Sequence, residues 1–453
     1  MTSAVLCLSL LTGCQLGSRT SSVPEEEGAV TAYAVDFEAD GTMLDDYGYY
    51  STELAFLEDY NSAMDSSRQI QIQYFPNIET MNRQLSTELL SGGGPDLFVF
   101  RDTTLPQFQS YATQGVFAPL DTFLEKNSYN KDWFQKVIFD YGTVDGTQRF
   151  IPLEYGIPVC ITTQSLYDEF ELENTATQIN YQNYFGLLNT TGTLGKPINS
   201  NFNQFWFSEL DSFRYRLLPA FIDKQQKEGQ FTSAKFKESM EWYLQVVKAQ
   251  NGRDGFSKAY GTAYASALRD GNLFFYNDPM MSDRFLSVRI DSYFGNTESK
   301  NIPLLSFPMK EYAGNDVCGF VGKMVAINDN SSRKNKAWEV IDYALSPNFQ
   351  NSMANRSSPI TGNPIRIEGQ ERNRENWLSF GSAEMKEIRE DFVDQYYELL
   401  NSVTKCDCLT YNSMYVQEIF DPLYLEYESG TKTLDEFIKE LQNKTGLYLK
   451  EQN

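Results

Sequence analysis

The run Ser-Gly-Gly-Gly-Pro-Asp-Leu-Phe-Val-Phe from Ser91 to Phe100 admits few conformations, and it fixes what its neighbours can be. Upstream, Met81, Leu85 and Leu89 recur at helical spacing, Gly92 can take the left-handed conformation that ends a helix, and Pro95 keeps the helix from resuming. Leu97 to Phe100 is apolar without alternation, the pattern of a strand covered on both faces. Ile70, Ile72 and Tyr74 supply an earlier strand across the same helix. The sequence therefore predicts a strand, helix, strand unit. A phosphate cradle is excluded, because its glycines follow a strand and open a helix with Lys-Ser/Thr behind them, and here the order is reversed and no lysine follows.

A chain of 453 residues is too long for one ordinary core and suits two lobes. Its 38 Lys and Arg against 61 Asp and Glu give a formal charge of -23, which disfavours nucleic acid and anionic lipid headgroups as partners. There is no histidine, so Ser-His and Cys-His nucleophile pairs, His-ligated metals and imidazole acid/base chemistry are all excluded. Cys406-Asp-Cys408 lacks the two-residue spacer of a zinc or redox pair, and with Cys160 and Cys318 it predicts no obligatory disulfide. No cofactor or metal is expected.

Several further segments share one pattern with Ser91–Phe100. Tyr111 to Leu120 puts a helix end at Gly115 before an apolar-x-x-Leu, and Asp145-Gly146 turns into Phe150-Ile-Pro152. Phe307-Pro308 precedes Cys318 to Asn328, read as one returning strand. Ala337, Val340, Ile341, Ala344 and Leu345 share a helical face closed by Ser346-Pro347, and Gly430 to Glu436 opens the last helix with a Thr433/Glu436 capping box. In this order and spacing the chain, over most of residues 30 to 450, resembles the family 1 extracellular solute-binding proteins, the maltodextrin-binding-protein-like receptors of ABC importers. The resemblance implies an α/β fold of two Rossmann-like lobes joined by hinge strands, periplasmic-binding-protein-like of type II. The first lobe would comprise 30–153 plus about 318–366, and the second 154–317 plus about 367–453. It also implies a monomer that hands its solute to permease subunits in the membrane.

At the start of the chain, Ala4 to Leu11 is apolar but too short to span a bilayer, and it ends in Leu11-Thr12-Gly13-Cys14. The tetrapeptide resembles a bacterial lipobox, although no Lys or Arg precedes the apolar run. It implies a signal peptide over 1–14, lipidation of Cys14, a flexible Ser/Thr/Gly/Glu tether over 15–29, and attachment to the outer face of the cytoplasmic membrane.

In such a fold the ligand lies at the carboxyl ends of the strands and at the hinges. Arg101 and Asp102 follow the Leu97 strand, Glu154 and Tyr155 lie on the first crossing, and Tyr276, Asn277 and Asp278 close a strand read from Leu273. In sugar-binding relatives an acidic residue after the first of these strands and a glutamate on the first hinge contact the ligand, and the resemblance carries those roles to Asp102 and Glu154. Carboxylates accept hydroxyl protons, and aromatic faces cover the C–H faces of a pyranose. The solute expected is a saccharide, with a polyamine as the alternative.

An enzyme is the reading of another class. Ser128-x-x-Lys131, Tyr181-x-Asn183 and Lys444-Thr445-Gly446 imitate a serine acyl-transferase, but Lys444 falls at the end of an amphipathic helix that Gly446 is expected to stop, where that chemistry needs a strand. A carboxylate-dependent glycosidase has no acid pair that the sequence favours over another. The expectation is a binding protein and not an enzyme.

Overall fold

The computed structural model describes residues 27–36, 52–163, 218, 221–223, 228–241, 276–281, 303–305, 317–351, 362–379, 386–407 and 415–451. The predicted strand, helix, strand unit is present, with a further strand and helix before it. Strand β1 (Thr31–Val35) leads to helix α1 (Thr52–Ala63), then β2 (Gln71–Phe75), helix α2 (Ile78–Leu90) and β3 (Leu97–Phe100). The three strands are parallel, with β1 between the other two. The Asn77 side chain accepts the Thr80 N–H at the start of α2. At its end Gly92, with φ +79, lets the Gly93 N–H turn back to the Glu88 carbonyl. All four residues of β3 are buried, as a strand covered on both faces requires.

A hairpin of β4 (Thr143–Val144) and β5 (Thr147–Gln148) turns through Asp145 and Gly146, both at positive φ. Next, β6 (Ile151–Pro152) joins the first sheet, and one residue later β7 (Glu154–Thr163) enters a second. A short hairpin pairs β8 (Ile222–Asp223) with β9 (Glu228–Gly229). Strands β10 (Tyr276–Met281) and β11 (Pro303–Leu305) both lie antiparallel to β7.

The stretch read as one returning strand is two. Cys318–Val321 forms β12, antiparallel to β7 in the second sheet, and Met324–Ile327 forms β13, antiparallel to β3 in the first. The chain changes sheet at Gly322-Lys323, a break that an unbroken apolar pattern hides. Helix Lys334–Leu345 then packs its predicted face, Ala337, Val340, Ile341, Ala344 and Leu345, into the core. After Pro347–Gln350 the chain reaches β14 (Asn363–Pro364), again against β7, and β15 (Lys405–Asp407) lies parallel to β12.

The first sheet is thus ordered β2-β1-β3-β13-β6 and the second β10-β7-β12-β15, with β11 and β14 also on β7. A late strand, β13, is inserted antiparallel beside β3. One apolar cluster runs from β1 and β3 through Tyr155 and Ile157 to Phe392 and Tyr396 on helix Lys386–Asn401. The last helix, Leu434–Glu451, opens on the expected capping box, with Thr433 N–H on the Glu436 carboxylate at 2.8 Å. It does not stop at Gly446. Burial of Tyr448 and Leu449 one turn on, and the Thr445 to Tyr415 hydroxyl contact, hold the glycine in helix against its cost of about 1 kcal/mol. Among the described residues, no helix is long and apolar enough to cross a membrane.

Candidate functional site at the strand ends

Phe100, Met324 and Pro152 form one row across the first sheet, because Met324 pairs with both others. The residues flanking that row share a single edge: Arg101 and Asp102 after β3, Gly322 and Lys323 before β13, Leu153 and Glu154 after β6. The edge is the carboxyl end of the parallel strands, where an α/β sheet offers its binding surface. Helix α1 starts there too, with Glu53 in its first turn.

The two crossings are bonded to each other. The Leu153 N–H donates to the Lys323 carbonyl at 2.8 Å, and the Gly322 N–H to the Glu154 carbonyl at 3.0 Å. Glu154 is 1% exposed, and its carboxylate accepts the Lys323 N–H at 3.2 Å on one oxygen and the Gly362 N–H at 3.0 Å on the other. The Arg101 guanidinium stands 3.6 Å from it and 3.9 Å from Glu53, with its side chain 27% exposed. Glu53 in turn accepts the Thr104 hydroxyl at 3.0 Å, and that hydroxyl accepts the Arg101 N–H at 2.9 Å.

Behind this lies Lys323, with no exposure, its ammonium 5.9 Å from the Phe56 ring centroid. Burial pushes its pKa down to about 8. Glu154 opposes the shift, Arg101 adds to it, and Glu53 and Asp59 oppose it from α1. Glycine is needed on both sides of the carboxylate: a Cβ on Gly322 would stand 2.7 Å from a Glu154 oxygen, and one on Gly362 2.9 Å from the Glu154 Cβ.

The expected site residues divide. Arg101, Asp102 and Glu154 meet at this edge. Asp102 is 8% exposed and accepts the Thr103 N–H at 2.9 Å, and it does not cap the next helix, which begins after Gln107. Tyr155 is fully buried, and its hydroxyl accepts the Gln370 amide at 3.1 Å. Tyr276, Asn277 and Asp278 open β10 instead of closing a strand, opposite Ile161, Cys160 and Val159. Pro279 is accommodated at the register shift between Asp278 and Met281, where a missing N–H is tolerated. Leu273 to Phe275, Cys14 and the Tyr181 motif lie outside the described residues. Sequence reasoning missed Glu53 and Lys323; a lone lysine inside the apolar stretch Cys318–Ile327 was the signal available for the second. Cys318 is buried and Cys406 half-buried, and among the described residues no cluster of three or more Cys, Asp or Glu could hold a metal.

No family model matches the chain, and no curated protein is similar in sequence. Solved structures are similar in fold. A family 1 extracellular solute-binding protein from Alicyclobacillus acidocaldarius superposes with a TM-score of 0.58 at 13% identity, covering 95% of this chain and 100% of that one. The sugar-binding protein MalE of Xanthomonas citri gives 0.59 at 15% identity, covering 94% and 98%. A cyclic alpha-maltosyl-1,6-maltose binding protein from Arthrobacter globiformis gives 0.55 at 15% identity, covering 94% and 99%. The fold is the type II solute-binding fold of these proteins.

Proposed function

We propose that the chain is an extracytoplasmic receptor that binds a carbohydrate, an oligosaccharide in particular, between two α/β lobes and delivers it to the permease subunits of an ABC importer. Lipidation at Cys14 would hold it at the outer face of the cytoplasmic membrane, and it would work as a monomer. The lobes would be the units bounded at 153–154 and 322–323, with a third crossing between Gln350 and Asn363. The observation that carries the reading is the meeting of Arg101 and Asp102 with both bonded crossings at the carboxyl edge of the first sheet. A guanidinium that only donates beside a carboxylate that only accepts suits the paired hydroxyls of a sugar. The second lobe would contribute the stretch Tyr276–Asp278.

The charges favour a neutral ligand over a polyamine. Arg101 and Lys323 already bring positive charge to Glu53 and Glu154, so these two carboxylates do not call for a cationic ligand. The sugar-binding descriptions of the Xanthomonas and Arthrobacter proteins support the same class.

A thermal-shift panel of mono- and oligosaccharides, polyamines and peptides tests this, since a ligand at a hundredfold its Kd stabilises the folded state by about 2.7 kcal/mol. A saccharide should raise the melting temperature and emerge unhydrolysed. Asp102→Ala should weaken its binding roughly ten- to a hundredfold while the unliganded melting temperature stays near the parent's. A shift given by polyamines alone would replace the carbohydrate reading, and turnover of the sugar would replace the receptor reading.

A further inference from the structure

Burying a carboxylate costs several kcal/mol unless donors and a countercharge meet it, so a carboxylate that is 1% exposed has its surroundings arranged for it. Two of the donors to Glu154 are not side chains that could turn toward a solute. They are the backbone N–H groups of Lys323 and Gly362, each on a different crossing, while Glu154 itself begins β7 on the first. One side chain therefore ties together three passages of the chain between the sheets among the described residues. The approach is close, with Gly322 and Gly362 at contact distances that exclude even a methyl group, and the side chain is left 1% exposed, so little of the carboxylate is open to a solute. Arg101 at 3.6 Å and the buried Lys323 supply the countercharge.

We propose that Glu154 is the latch of the pivot: it fixes the three crossings and orients the Arg101 guanidinium, and it makes no contact with the solute. This rests on the hinged-receptor reading above and alters the role that the resemblance assigned to the residue. A glutamine at 154 keeps the shape but presents an amide N–H₂ to one of the two backbone donors, so one hydrogen bond is replaced by a clash of donors.

Hydrogen exchange and small-angle scattering on the unliganded Glu154→Gln protein test the latch without any ligand, so a failed saccharide assay leaves the result intact. Amide protection at both Lys323 and Gly362 should fall by about tenfold or more, and the scattering profile should indicate a wider spread of lobe arrangements. Gly322→Ala, which leaves the carboxylate present but displaces it, should give the same signature, and it decides the matter if Glu154→Gln does not fold. Protection unchanged at both amides overturns the proposal. So does the pattern of a direct contact: weaker saccharide binding by Glu154→Gln with parent-like exchange and scattering before ligand is added.

Discussion

Lys323 gives the protein an unusual alkaline response. Its folded-state pKa of about 8 lies below the ordinary 10.5, so between these values the unfolded chain holds a proton that the folded chain has released. Stability therefore rises with pH across that interval. Tyr33 beside Glu88, Tyr129 beside Asp342 and Tyr343 beside Asp59 act in the other direction. Burial first and then the carboxylate partner push their pKa values above the usual 10.0, so the unfolded chain loses protons first and stability falls above pH 10. With no histidine to titrate, stability from urea denaturation should be nearly flat from pH 6 to 7.5, rise by about 2 kcal/mol toward pH 9.5, and then drop. Lys323→Met should abolish the rise, and a rise that persists in that variant would assign it to another group. Arg101 and Asp102 were legible because they follow a recognisable strand. The surroundings of Glu154 were not, since its donors come from residues 169 and 208 positions away.

Local elements were the most readable level, because their signals are short in range. The cap of α2 is one example: Asn77→Ala removes the acceptor for the Thr80 N–H at 2.8 Å and should cost about 1 kcal/mol, seen as a lower urea midpoint with an unchanged slope. An unchanged midpoint would mean that solvent satisfies that N–H equally well. Periodicity located α2 and the buried face of Lys334–Leu345, and an unbroken apolar run located β3. It failed where tertiary packing outweighs local preference. Gly446 stays helical because Tyr448 and Leu449 are buried beyond it, and β12 and β13 read as one strand because the apolar pattern continues across the change of sheet.

For the whole molecule, the order β2-β1-β3-β13-β6 depends on pairings far apart in sequence, and the resemblance of spaced motifs gave the fold class without this order. If the two sheets belong to lobes that close on a sugar, saturating ligand should reduce the radius of gyration, and Asp102→Ala should require correspondingly more ligand for the same change. A saturated parent with an unaltered profile would rule out closure as the mechanism.

The bonds between Leu153 and Lys323, and between Gly322 and Glu154, also bear on the mechanics of such a motion. They join the two antiparallel crossings as rungs at the point where both leave one sheet for the other. Sliding one sheet along the other would break both rungs together, whereas bending or twisting about them needs only small changes in backbone torsion. The linkage thus removes translation and keeps rotation. With fewer relative positions open to the empty protein, less freedom would be lost if a ligand held the two surfaces together, and tight binding would need fewer direct contacts.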